Sequence, residues 1–442
     1  MASSGAVPNH AFRRLRGQRS PGEFAAAVRR AAREIGEQVA CDARYIGRVE
    51  AGEIRCPNYA YERVFLHMFP GLSLTDLGFT ARERVRGRGA RARTGAPLSP
   101  ITIHDRGVGD DEESDVRRRA FMAGSTTSVA AVSLGLALGV PAPRGRAGRT
   151  EASAVEEAVR RIRLLDDRHG ADGLYRRAAE PLRTAYELLD AGTSGRATAD
   201  RLYAGAGELA LSVGWLAHDS GRLQDARSHY AEALATARVA GDPGLEAHAF
   251  CNTSFLARDA GRYREAVRAA EAGQHAARQL SSARLVALLA LREAGGWAGL
   301  GDRAACELAL GRAHAWFGRG PSDADPEWMS FFGEPELEAL EAQCWSALGD
   351  WRKAARHAHR AVALQDPHFT RNLALYQAQL AADLVRAGAP EEGASAGLRV
   401  LPLLDDVQST RIQAMLRDTA RALAPGGRSE QVAVFLERTR RV

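Results

Sequence analysis

Gly221-Arg-Leu-Gln-Asp-Ala226, Gly261-Arg-Tyr-Arg-Glu-Ala266 and Gly349-Asp-Trp-Arg-Lys-Ala354 are three copies of one pattern. Each sets a glycine first, a large residue two positions on and an alanine five positions on. Small or aromatic side chains follow at helical spacing: Tyr230 and Ala233, Ala270 and Gly273, Ala358 and Ala361. A glycine turn followed by a helix with a small inner face lets two antiparallel helices approach closely. Gly301-Asp-Arg-Ala-Ala-Cys306 is a weaker copy, and Gly388 opens another. The intervals between these glycines are 40, 40, 48 and 39 residues. The long interval reads as an insertion over residues 320–335, carrying Asp325-Pro326, Trp328, Phe331 and Phe332.

The pattern resembles the tetratricopeptide repeat, whose standard period is 34 residues. Longer helices account for the 40-residue intervals, and Asp366-Pro367 fits the way such repeats end. The resemblance implies an all-α protein whose residues 150–442 form an α-solenoid of helix pairs. Such scaffolds take a peptide, a protein partner or a small ligand, or mediate a homodimer, and the fold does not choose among these. Trp215, Trp297, Trp316, Trp345 and Trp351 are expected to pack between helices rather than to meet a ligand.

Upstream of the repeats the chain changes character. Residues 1–95 hold 17 Arg against 9 Asp and Glu, a balance of +8, while the whole chain is +6; the other 347 residues therefore sum to −2. Lysine occurs only at Lys353, so arginine richness by itself reflects a high-G+C coding bias. Its concentration at one end is what suits a phosphate backbone.

Residues 1–80 read as a helical head. Pro21-Gly-Glu-Phe-Ala25 opens a helix with apolar or small positions at Phe24, Val28, Ala31, Ala32 and Ile35, and Gly36 supplies a turn. A second helical stretch ends at Arg48-Val-Glu-Ala-Gly-Glu53 and is soon followed by Pro57. Asp42-Ala-Arg-Tyr-Ile-Gly-Arg-Val-Glu-Ala-Gly52 resembles the recognition helix of XRE-type helix-turn-helix domains. The longer run Glu50-Ala-Gly-Glu-Ile-Arg-Cys-Pro57, with Tyr61 and Leu77-Gly78-Phe79, resembles an actinobacterial subgroup of that family. The Ser/Thr-rich start usual in that helix is absent here. The resemblance implies a small bundle binding double-stranded DNA, with Ile46 and Val49 in the core. Asp42, Arg44, Tyr45 and Arg48 would face outward, joined by Arg55, so that arginines meet guanine edges or phosphates. Glu50 alternatively serves only structure, pairing with an arginine.

Residues 81–115 are an arginine/glycine stretch (Arg82 to Arg93) and then an acidic run, expected to stay solvated. Residues 116–145 resemble a twin-arginine export signal: Arg117-Arg-Arg-Ala-Phe121, then an uncharged Ala/Gly/Ser/Leu-rich span. Such signals are read at an N-terminus, so the favoured reading is an internal linker, with membrane contact or export as rivals. The odd, scattered set of five cysteines suits a reducing cytoplasm.

No nucleotide-binding loop, metalloprotease motif or nucleophile elbow is present, so neither enzyme nor cofactor is expected. The acid pairs Glu156-Glu157 and Asp166-Asp167 are expected on solvated faces. Together these features point to a bacterial, cytoplasmic DNA-binding regulator whose repeats sense a ligand or partner. The rival is a membrane-associated or exported repeat adaptor that does not touch DNA.

Overall fold

The computed structural model describes residues 8–35, 37, 39, 41–52, 54, 57, 59–79, 140–141, 145–367, 369–426 and 429–440. Arg55, the Arg82–Arg93 stretch, the acidic run and nearly all of the twin-arginine-like segment lie outside these residues. The chain divides into two compact units, and residues 321–333 group with the head although they interrupt the repeats in sequence. Among the described residues there is no strand, only an isolated bridge between Ala147 and Thr193.

The head contains α1 (His10–Arg16), α2 (Pro21–Glu34), α3 (Ala43–Glu50) and α4 (Tyr59–Met68), with a 3₁₀ turn at Glu327–Phe331. Its core is aromatic: Phe12 meets the Phe24 and Phe65 rings edge-on, at centroid distances of 5.6 and 5.0 Å. Ser20 caps α2 through a reciprocal box in which its hydroxyl accepts from the Glu23 N–H and its own N–H donates to the Glu23 carboxylate. Such a box satisfies two backbone donors that no helical carbonyl reaches. The closing Leu77-Gly78-Phe79 motif is fastened back to α1. The Asn9 carboxamide donates to the Leu77 carbonyl at 3.0 Å while accepting from the Phe12 N–H at 2.9 Å. Gly78 has φ +79°, and a Cβ there would lie 1.9 Å from Asn9 Oδ1, so only glycine fits.

The second unit is the expected α-solenoid. It begins with α5 (Arg149–His169) and α6 (Tyr175–Asp190), then runs through α7 (Arg196–Asp219), α8 (Leu223–Ala240), α9 (Pro243–Asp259), α10 (Tyr263–Ala277), α11 (Ala283–Gly299) and α12 (Arg303–Phe317). It continues with α13 (Glu334–Ala347), α14 (Trp351–Leu364), α15 (Thr370–Arg386), α16 (Pro390–Val400), α17 (Thr410–Leu423) and α18 (Glu430–Thr439). Five helix pairs, α7/α8 through α15/α16, join at Gly221, Gly261, Gly301, Gly349 and Gly388, whose φ angles all lie between +72° and +87°. Five residues after each glycine a small residue is buried: Ala226, Ala266, Cys306, Ala354 and Gly393. The sequence pattern thus marks the turn and the close helix contact in all five pairs.

The solenoid closes on itself. The Gln408 N–H donates to the His169 carbonyl at 2.8 Å, Thr410 bonds Asp172 at 2.9 Å, and α15 packs on α5. No described helix is long and apolar enough to cross a membrane.

Candidate functional site

In the head, helix α3 starts where Asp42 accepts from the Tyr45 N–H at 2.7 Å. Asp42 is therefore a helix cap, and its carboxylate is occupied by the backbone. Ile46 and Val49 are fully buried, as their spacing requires. Tyr45 departs from the sequence expectation. It is 6% exposed and stacked on Tyr61 with centroids 4.0 Å apart, because residues 45, 46 and 49 form one stripe of a helix. The outward face is left to Ala43, Arg44 and Gly47, all exposed, with Arg48 half-buried beside them. A Cβ at Gly47 would meet nothing within 4 Å, so this face has low relief. Glu50 pairs with Arg16 and serves structure.

Arg48 is engaged within the unit. Its Nη1 donates to the Pro321 carbonyl at 2.7 Å. The same segment reaches α4, where Arg63 bridges Glu37 and Glu327. A turn shapes it: the Ser322 N–H donates to the Asp325 carboxylate at 2.8 Å, while Met329 and Phe332 are buried. The insertion that sequence placed within the repeats thus forms part of the environment of α3.

The inner face of the solenoid was not legible as a site. Counting back from the first two turn glycines, Gly221 and Gly261, Trp215 and Phe255 stand six residues before and Asp219 and Asp259 two before. That regularity is a signal the sequence did contain. The Trp215 and Phe255 rings stack at 5.8 Å. Three guanidiniums surround the Phe255 ring: Arg292, Arg258 and Arg411, at 4.0, 4.4 and 5.0 Å from its centroid. A fourth, Arg371, lies 5.2 Å from Trp215. Asp259 accepts from Arg258 at 2.6 Å and from His218 at 3.0 Å, and also pairs with Arg411 at 3.4 Å. These cations hold its carboxyl well below the usual range despite burial. Arg371, from α15, pairs with the fully buried Asp219 of α7 at 2.5 Å.

Asp166 corrects a second expectation. It is buried and accepts from the Trp215 indole at 2.9 Å, and burial raises its pKa to about 6. Of the tryptophans, Trp345 is 3% exposed and packs between helices, while Trp351 lines an open cleft. That cleft, about 500 Å³ in volume, lies where α9, α11, α13 and α15 end and α10 and α14 begin, and is bordered by Arg258, Tyr263, Gly295, Gln343, Gln379 and Arg386.

No family model and no curated protein matches this chain by sequence. Among solved structures, the chain is similar to the "Crystal Structure of Rap Protein Complexed with Competence and Sporulation Factor". The likeness spans 75% of this chain and 97% of that one, at 13% identity and a TM-score of 0.40.

Proposed function

We propose that this chain is a DNA-binding transcriptional regulator whose repeat array governs its head. The observation that carries this reading is the bond from Arg48, on the candidate recognition helix, to the carbonyl of Pro321 in the segment that interrupts the repeats. A guanidinium on a neutral carbonyl lacks the attraction between opposite full charges that a phosphate would add. A change in residues 321–333 would therefore alter how freely Arg48 meets DNA. Arg44 is the exposed reader on the same face, and the Arg82–Arg93 stretch adds sequence-independent phosphate contacts. The repeats take a protein, peptide or small-molecule partner through the cleft beside their turns, which combines aromatic walls with amide and guanidinium groups.

Selection of genomic fragments by the full chain tests this, with Arg44→Ala/Arg48→Ala compared at two salt concentrations. A discrete sequence enriched by wild type and lost by the double variant is the expected result. Enrichment that depends on salt but not on those two residues would defeat it.

A further inference from the structure

We propose that the trough between α14 and α16 is a docking surface for an acidic amphipathic helix of a partner protein. The trough is about 940 Å³ in volume and shares no lining residue with the cleft beside the turns. Both helices are the second of their pair, so they run in the same direction and equal offsets from Gly349 and Gly388 stand level. Offsets three, seven and eleven line the trough from both sides: Arg352, Arg356 and Arg360 on α14, and Glu391, Ser395 and Arg399 on α16. Between them lie Ala355 and, from α15, Leu380 and Leu384.

Charge is the first feature that marks this trough. Arg360 is answered by Glu334 and Glu338, each at 3.2 Å. Among the described residues Arg352 and Arg356 form no ion pair, and Arg399 reaches the neutral Gln377 amide oxygen at 3.4 Å. Like charges four residues apart weaken a helix, so the arginine row does not serve α14 itself. Glu391 and Glu392 have a local role, since they fill the first turn of α16, where acids suit the positive end of a helix. The second feature is that this trough is left open. Between α8 and α10, Arg227 and Glu265 approach to 3.8 Å. Arg227 stands six residues after its turn glycine and Glu265 four after its own; the matching residues here are Ala355 and Glu392. A methyl group replaces the guanidinium, and the bridge is lost.

Spacing identifies the occupant. Guanidiniums four residues apart on a helix stand about 6 Å apart along its axis. Carboxylates at i and i+4 of a second helix laid alongside match that interval in either direction. The apolar stripe of the same helix meets Leu384 and Ala355, as amphipathic helices do in grooves. An alkyl carboxylate, with one head group, would leave two of the three guanidiniums unanswered.

This surface depends on neither DNA reading nor the turn-side cleft, and its test uses neither. The full chain is titrated with a fluorescent alanine-based helix of about 20 residues, with leucines along one stripe and glutamates at i, i+4 and i+8 on the flank. Wild type binds this probe, and glutamine in place of the glutamates weakens binding by about tenfold or more. Arg352→Glu/Arg356→Glu, at two exposed positions, loses the glutamate helix and gains its lysine counterpart. Leu384→Gln weakens the glutamate helix without reversing the charge preference. Equal binding of the glutamate and glutamine helices, no binding, or retention by Arg352→Glu/Arg356→Glu would overturn the proposal. So would competition by dodecanoate, or a wild-type dimer that the same two substitutions dissolve.

Discussion

At Gly78 two demands coincide, a left-handed backbone and the Asn9 carboxamide pressed against the missing Cβ. Gly78→Ala should therefore destabilise the head by roughly 2 kcal/mol or more, seen as a lower denaturant midpoint. An unchanged midpoint would mean that Asn9 moves aside without loss. Asp383 makes a second residue-level prediction. It is fully buried, accepts from Ser346 at 2.7 Å and Gln379 at 2.9 Å, and burial pushes its pKa up from 3.8 to about 6. The folded chain thus holds this proton more tightly than the unfolded chain does. Stability from this group is present in acid and is lost as pH rises from about 4 to about 6. Relative to wild type, Asp383→Asn should gain up to about 3 kcal/mol across that window. Urea titrations at its two ends would show no such gain if the carboxyl titrated normally. Residue identity was least legible where polarity misled: Tyr45 and Asp166 look like surface residues, and only the helix phase and the neighbouring Tyr61 and Trp215 rings draw them inward.

Each helix pair of the solenoid depends on a turn glycine and a small residue five positions later, and both were plain in the sequence because their spacing is local. Ala266 is fully buried where α10 meets its neighbours. Ala266→Leu should cost roughly 1–3 kcal/mol through overpacking, whereas the same change at the exposed Ala231 of α8 should be nearly silent. Comparable midpoints for the two variants would contradict the close-contact role. The 48-residue interval was legible as an insertion, but not its place. Nothing local in residues 321–333 announces that they belong with α3 and α4, since that grouping rests on Arg48 and Arg63, more than 250 residues away in sequence. The inner arginines were missed for the same reason. Arg371 meets Asp219 across 152 residues, a pairing no periodicity reveals.

At the scale of the molecule, closure of the solenoid and control of the head are the claims at stake. Arg371→Ala would leave the carboxylate of Asp219 buried and unpaired, a loss of about 3–5 kcal/mol. Hydrogen exchange should then quicken around Gln408 and His169, where the last helices meet the first; protection that stays at the wild-type level would separate this ion pair from closure. The central claim is the proposal that α3 reads DNA and that residues 321–333 govern it. The measurement that tests it most directly is equilibrium affinity for the selected duplex, comparing wild type with Asp325→Ala/Glu327→Ala. That variant removes the turn behind Pro321 and the tie to Arg63 while leaving α3 intact. Binding tighter by about tenfold, some 1.4 kcal/mol, is the predicted result. Affinity that is unchanged or weaker, with the head still folded, would contradict the account.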